Sequence, residues 1–318
     1  MGMVGQSAYR MVFPVLALLA SSTVCRGGNA AYDFLRADVG ARAAAMAGTF
    51  VSMADDPNCL FYNPAGLGGI QQPSGSLGFF KHLLDINAGY LSYTHPVDDV
   101  GILSAGIVYF NYGSFDETDD LGNVLGTFSA SDLAFSAGYA GTLEEGLTYG
   151  AAIKMVYSQI AGYSSTGIGL DAGILYRIPE SKVTVGASIR NAGTQLSSYA
   201  ETREELPVDL TVGASVIPKG LPLVFSVDFH KLNAQVDSFG DRLKSFSVGG
   251  EFTLSRVLQL RFGYNNEQRQ ELKMGASSGL AGFSGGLGVT VDSYHVDYAL
   301  SSLGKVGSLH RLTIATTF

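Results

Sequence analysis

Apolar and polar positions alternate along most of this chain with a period of two, as in an extended strand whose side chains point in turn to opposite faces. Leu223, Phe225, Val227 and Phe229 share one face of a run, and Val224, Ser226, Asp228 and His230 the other. Val183, Val185, Ala187 and Ile189 oppose Thr184, Gly186, Ser188 and Arg190 in the same way. The pattern returns at 246–254, 258–265 and 294–300. Read from residue 74 onward, it predicts strands near 74–82, 86–95, 100–112, 128–141, 146–160, 165–178, 182–194, 207–217, 221–231, 243–254, 257–266, 280–291, 293–301 and 308–318. One face of each is apolar and the other is expected to be wet.

Alternation alone suits a soluble sandwich as well as a membrane barrel, and the links between strands decide. Those at Pro96-Val97-Asp98-Asp99, Leu143-Glu144-Glu145, Pro179-Glu180-Ser181, Pro218-Lys219-Gly220, Ser255-Arg256 and Asp292 are tight, whereas 113–127, 194–206, 232–242 and 266–279 are long and polar. Short turns at one end, long loops at the other and an even strand count are the pattern of outer-membrane barrels. The expectation is an all-β fold, a transmembrane antiparallel β-barrel of about fourteen strands in the cell outer membrane, with its short turns on the periplasmic side. Phe318, on the same face as Leu312 and Ile314, reads as the barrel's C-terminal signal. Tyr109, Phe110, Tyr157, Tyr176 and Tyr264, near strand ends, are expected in the interfacial aromatic girdles. Outer-membrane lipid and the barrel-assembly machinery are the partners such a chain needs.

Composition agrees. Of 318 residues 41 are Gly, 16 Tyr and 18 Phe, with no Trp and only 15% charged, which is unlike an ordinary soluble enzyme. Beyond the amino terminus no apolar run reaches the roughly 18 residues of a membrane-crossing helix. A net charge of -8 speaks against a nucleic-acid partner. Residues 1–30 read as an export signal: Arg10 precedes the apolar core Met11 to Ala20, and Gly28-Asn29-Ala30 supplies small residues before a cleavage after Ala30. Cys59 is then the one thiol left, without an internal disulfide partner, and reads as a small buried residue.

Between leader and strands lies a segment of another kind. Ala41 to Ala54, rich in small residues with Met46, Phe50 and Met53 at helical spacing, predicts a short helix that lies close against other backbone, ended by Asp55-Asp56-Pro57. Phe61 and Tyr62 follow, then the turn-forming Asn63-Pro64-Ala65-Gly66. About fourteen strands enclose a lumen wider than wall side chains can fill. Residues 31–72 are therefore expected to plug it as a hatch, and 73–318 to form the barrel.

With its opening at Ala41 to Gly48, its Ala54-Asp55-Asp56 middle and its Asn63-Pro64-Ala65-Gly66-Leu67 end, this segment resembles the amino-terminal motif of the PorV/PorQ family, which belongs with the FadL-like barrels. The resemblance extends to Asp297-Tyr298-Ala299 and Ser308-Leu309-His310-Arg311-Leu312 near the carboxyl end. Cys59 and Tyr62 depart from it, standing where a small residue and a Trp are usual. It implies a luminal hatch with Asn63, Pro64, Ala65 and Gly66 as its motif. It also implies one of two roles, a part in type IX-like secretion with secreted proteins as partners, or passage of hydrophobic small molecules.

No cofactor is implied, and no enzyme signature stands up. Gly275-Ala276-Ser277-Ser278-Gly279 and Gly282-Phe283-Ser284-Gly285-Gly286 match Gly-x-Ser-x-Gly without a strand-to-helix elbow. The pairs Asp228/His230 and His295/Asp297 fit a mixed-charge lumen that bonds wall to hatch, and Asp116-Glu117-Thr118-Asp119-Asp120 fits a solvated loop. For a transporter with a lateral exit, Gly282, Gly285, Gly286 and Gly288 mark the twelfth strand as the place where the wall opens.

Overall fold

The structure, a computed structural model, describes residues 30–81, 86–235, 238–272 and 279–318. The expected export signal and the first Gly-x-Ser-x-Gly match fall almost wholly outside the described residues. The strands are β1 (Ser74–Lys81), β2 (Asn87–Val97), β3 (Gly101–Thr118), β4 (Val124–Glu144), β5 (Leu147–Ile160), β6 (Tyr163–Ile178), β7 (Val183–Ser197), β8 (Asp209–Val216), β9 (Leu223–Phe229), β10 (Phe246–Thr253), β11 (Leu258–Asn265), β12 (Phe283–Val291), β13 (Tyr294–Ser302) and β14 (Ser308–Thr317). Each pairs antiparallel with its sequence neighbour, and β1 pairs with β14 from Ser74↔Thr317 to Lys81↔His310, so the sheet closes into a fourteen-stranded barrel.

Closure leaves no edge within the membrane band, so backbone donors and acceptors there are met by the neighbouring strand, or at a slip by a side chain, as where the Asn191 N–H donates to Asp171. The apolar face of the alternation points outward: Leu77, Phe79, Leu91, Ile107, Leu133, Ile153, Leu260, Phe262 and Leu312 are all exposed. Near the long-loop end Phe229, Phe246, Tyr264 and Phe283 stand side by side on four adjacent strands, ring centroids 6.4, 6.2 and 5.0 Å apart. Near the other end Tyr93 meets Phe318 at 6.2 Å. These rows are interfacial girdles. Phe110 is not among them, contrary to expectation. It follows the outward Tyr109, and period two turns it inward, where it is 4% exposed.

Three further expectations are corrected. The segment 113–127 is not a loop: β3 and β4 continue as a two-stranded ribbon past a bulge between Asn111 and Ser114, with Phe115 stacked on Phe128 at 5.4 Å. The twelfth strand is no break, since β12 keeps an unshifted register with both β11 and β13. The polar face is not wet. Ser226 and Ser247 are fully buried, because the lumen is filled.

What fills it is the segment from Ala31 to Pro73, less helical than its sequence suggests. The helix α1 spans only Ala41–Ala45. It stops in a Schellman turn, in which Ala47 N–H donates to Ala44 C=O at 3.1 Å and Gly48 N–H to Ala43 C=O at 2.9 Å. Both residues have positive φ, 56° and 76°, a conformation that Gly48 supplies without steric cost. Turns follow, then 3-10 turns over Pro57–Phe61 and Pro64–Gly69, capped by the side chains of Asp56 and Asn63.

Candidate functional site

The seam between hatch and wall is where this barrel is unlike a plain pore. The hatch backbone lies so close to the wall that side chains are excluded there. A Cβ on Gly150 of β5 would stand 2.4 Å from the Pro64 carbonyl carbon, and one on Gly249 of β10 would stand 2.7 Å from the Met46 carbonyl oxygen. Each glycine pairs across the ladder with another, Gly150 with Gly173 and Gly249 with Gly263, making flat pads on the inner wall.

On the first pad sits the motif Asn63-Pro64-Ala65-Gly66. Asn63, fully buried, donates through Nδ2 to the carbonyls of Val51 (2.7 Å) and Ile174 (3.1 Å), while its Oδ1 accepts the Ala65 N–H at 3.1 Å. Thr148 Oγ1 donates to the Ala65 carbonyl at 2.9 Å. Pro64 opens the 3-10 turn where no N–H is required. At Gly66 a Cβ would lie 2.5 Å from the Met53 carbonyl oxygen.

The remaining contacts divide the lumen into two unlike halves. Toward β8–β14 they are ionic and directional. Glu251 takes Arg42 of the hatch through both carboxylate oxygens (2.8 Å each) and Arg261 of the wall at 2.6 Å. Arg42 also reaches Asp56 at 3.1 Å, and Arg261 reaches Asp297, which pairs with His295. Asp228 accepts the Val51 N–H at 3.0 Å, Thr313 the Ala41 N–H at 2.9 Å, and Arg311 donates to the Asp38 carbonyl at 3.2 Å. At the border of this half Arg190 of β7 pairs with Asp209 of β8 at 2.6 Å and lies over the Tyr62 ring.

Toward β1–β5 the seam is mainly apolar, with Asn58 bonded to Ser76 and Ser92 among its few polar contacts. Leu60, Phe61, Phe34 and Val39 of the hatch pack with Phe80, Ala88, Tyr90, Val108, Phe110, Ala134 and Val156 of the wall in one buried cluster. Its rings form a column. Phe110 meets Phe34 at 5.6 Å, Phe80 at 5.2 Å and Tyr112 at 6.1 Å. Above it the Phe115–Phe128 stack continues the inner face of the ribbon, since Phe128 is in phase with the inward Ala130 and Asp132. Beneath it a cavity of about 20 Å³ lies among Phe34, Val39, Phe61, Val108 and Lys154. The sequence reading missed this half by treating the inner face as uniformly polar; Val108, Phe110 and Val156, out of phase with their outward neighbours, were the available signal.

Two boundaries complete the seam. At the long-loop end the segment 198–208 turns into the mouth: Leu206 is buried, Ala31 N–H donates to the Glu205 carbonyl at 2.9 Å, and the Tyr199 hydroxyl bonds Ser158. At the short-turn end a vestibule of about 740 Å³ is lined by polar groups, among them Arg42, Asp55, Arg177, Glu251, Gln259 and His295.

The other sequence candidates have structural explanations. Ser284 of the second Gly-x-Ser-x-Gly match donates to the Ala45 carbonyl at 3.0 Å. A Cβ at Gly286 would lie 2.6 Å from that of Ala45, and one at Gly288 2.6 Å from Asp297 Oδ1. Cys59 is buried, its Sγ on the Met53 carbonyl. Asp119 bonds within its own turn to Leu121 and Asn123, and the Asn123 hydrogen bonds hold its carboxyl below the usual range. Among the described residues no three His, Cys, Asp or Glu side chains are grouped to hold a metal ion. Phe318 is exposed, its N–H on the Pro73 carbonyl at 2.8 Å beside the β1–β14 seam.

No protein-family model matches the chain, and no curated protein matches it. Among solved structures it is similar to the toluene transporter TbuX of Ralstonia pickettii, at 14% identity and a TM-score of 0.62 over 88% of this chain and 98% of that one. It is similar to the toluene transporter TodX of P. putida at 15% identity and a TM-score of 0.59, with 88% and 98% covered. A Pseudomonas aeruginosa FadL homologue gives 10% and 0.56, again over 88% and 98%. At such identities the likeness is one of fold: the chain has a closed fourteen-stranded antiparallel barrel like those of these proteins, an outer-membrane architecture.

Proposed function

We propose that this barrel passes hydrophobic small molecules across the outer membrane along the apolar seam between the hatch and β1–β5. The observation that carries the reading is the aromatic column, from Phe115 and Phe128 above the mouth through Tyr112 and Phe110 to Phe34, Phe80 and the cavity below them. A ligand moving down it exchanges ring contacts for ring contacts and meets the ionic half only where Arg311 lies over the Phe80 ring. Proteins of this fold include those described as transporters of toluene and as a monoaromatic hydrocarbon channel.

The polar vestibule is a poor continuation for such a ligand, because leaving through it returns apolar surface to water at about 25 cal/mol per Å². A lateral exit avoids that cost. Lys154, on the cavity wall, reaches Asp171 (2.9 Å) and Asn191 (2.6 Å), where Arg190 and Asn191 of β7 oppose the single Asp171 of β6. We place the exit at this slip in the ladder, with the Lys154 group as its latch.

The test is uptake of radiolabelled toluene by cells carrying the barrel, against cells carrying Phe110→Asp at equal surface abundance. Faster uptake that the substitution abolishes is expected. Equal uptake by barrel-bearing and barrel-free cells would refute the reading. The finer PorV/PorQ assignment, with its part in type IX-like secretion, rests on the 41–67 resemblance; co-purification of secreted proteins together with absent toluene uptake would establish it instead.

A further inference from the structure

The column carries one charged group at its mouth, and that group bears on which hydrophobic molecules can enter. Asp132 lies directly opposite Phe110 in the β3–β4 ladder and points inward, 8% exposed. Its Oδ2 accepts the Tyr112 hydroxyl at 2.6 Å and its Oδ1 the Ser158 hydroxyl, which also bonds Tyr199. No Lys, Arg or His pairs with it among the described ion pairs. A carboxylate held by neutral hydroxyls keeps its field uncancelled toward the column.

The long-loop end of the barrel carries further acidic residues. Asp116 and Glu117 on the ribbon, Asp119 and Asp120 at its tip, Asp33 on the hatch and Glu204 and Glu205 on the 198–208 segment are all acidic. The cations nearby are engaged elsewhere: Arg36 pairs with Asp33, Lys154 with Asp171, and Arg203 bonds the Leu196 carbonyl. Arg311, deeper and over the Phe80 ring, is committed to the Asp38 carbonyl and Ser301.

Resting on the transport reading above, we infer that Asp132 is a specificity-determining residue, and that the column admits neutral and cationic aromatic molecules while rejecting those that carry a carboxylate. A ring stacked on Tyr112 and Phe110 brings its substituent within reach of Asp132. A hydroxyl or ammonium there donates to the carboxylate and replaces the Tyr112 bond. A second carboxylate meets like charge in a partly desolvated site, which costs about tenfold or more in affinity.

Four probes of one size separate the cases: toluene, benzyl alcohol, benzylammonium and benzoate, measured by equilibrium dialysis at neutral pH against the purified full-length barrel in detergent. Wild type is expected to bind the first three and to bind benzoate about tenfold or more weakly. Asp132→Asn keeps the acceptor for Tyr112 but removes the charge. It is expected to bring benzoate close to benzyl alcohol, to weaken benzylammonium and to leave toluene unchanged. Benzoate binding wild type as tightly as benzyl alcohol overturns the inference, and so does Asp132→Asn shifting all four probes alike, the mark of a merely structural role. The wild-type ranking decides even if the variant fails to fold. Toluene bound without discrimination sinks the selectivity alone, whereas no probe bound sinks the transport reading with it.

Discussion

Replacing Gly150 by Ala should unseat the hatch without altering a single hatch residue. The new Cβ would stand 2.4 Å from the Pro64 carbonyl carbon and 2.5 Å from the Ala65 nitrogen, so the turn must retreat about 1 Å to reach ordinary carbon contact distance. That displacement strains or breaks the Thr148–Ala65 bond and both carbonyl bonds of Asn63. Partial loss of three bonds worth about 1 kcal/mol net each, together with about 1–2 kcal/mol of overpacking, puts roughly 2–4 kcal/mol against the seated turn. The unseated population should then rise about 30-fold or more. Gly173→Ala, whose Cβ would lie 2.0 Å from Asn63 Oδ1, should act in the same direction. Gly285→Ala is the control, because its Cβ would have nothing nearer than the Arg261 carbonyl at 3.6 Å and it lies in phase with the lipid-facing Phe283 and Leu287. The assay is single-channel current in planar bilayers, with the heat-modifiable gel band as proof of folding. Brief openings are expected from Gly150→Ala and none from Gly285→Ala. A folded Gly150→Ala barrel as silent as wild type would refute the claim that close approach to the glycine pads holds the hatch.

Deleting residues 31–72 behind an intact leader should leave a barrel that still inserts, since its ladder is complete without the hatch; bilayer recordings should show steady conductance, and a folded but closed deletion would mean that something else plugs the lumen. Arg at Phe225 or Val248, on the lipid face, should cost about 2–4 kcal/mol in urea unfolding from vesicles. Arg at Thr253, which borders the vestibule, should cost little, and equal losses at all three positions would overturn the face assignment. Glu251→Gln should destabilise the barrel by about 3–5 kcal/mol, because it leaves the guanidinium groups of Arg42 and Arg261 facing each other. Arg42→Met should cost less, since Glu251 keeps Arg261; thermal melts in detergent that reverse this order would show that Glu251 is not the shared acceptor.

The strands were legible because a barrel wall writes its two faces into alternate residues, and the outward faces at 183–190, 223–230 and 258–265 follow that phase in the structure. What covers the inner face was not legible, because a Ser buried against a hatch and a Ser in water have the same side chain. Ser226, bonded to Thr49 of the hatch at 2.8 Å, is such a case. Some misplacements were avoidable. Tyr109 and Phe110 are adjacent and cannot share a face, and Gly48 is a stronger helix stop than Asp55. The 41 glycines stand out in the composition, which does not say where they lie; the pads at Gly150–Gly173 and Gly249–Gly263 show a use for four of them, close backbone approach. The ribbon beyond Asn111 was hidden by acidic residues that read as loop, although Phe115 and Phe128 carried its pairing.

The asymmetry of the seam determines how such a hatch can yield. Along β8–β14 it is fixed by ion pairs and by backbone N–H groups on Asp228 and Thr313, and separating any of these leaves a buried charge or donor unmet. Along β1–β5 polar contacts are few, among them Asn58 bonded to Ser76 and Ser92, and Thr148 on the Ala65 carbonyl; around Phe34, Val39 and Phe61 the seam is fixed by dispersion and apolar burial, which an apolar ligand can replace at little net cost. A ligand therefore competes with the hatch on one side only. On the proposed transport reading, the Arg42–Glu251 side would act as hinge and the Phe34–Phe61 side as the part that swings, so that passage would require local displacement of Phe34, Leu35 and Val39 and not ejection of the plug. On this geometry a cross-link between hatch and β10 leaves transport intact, whereas one between Phe34 and Phe110, replaced by a cysteine pair, stops it.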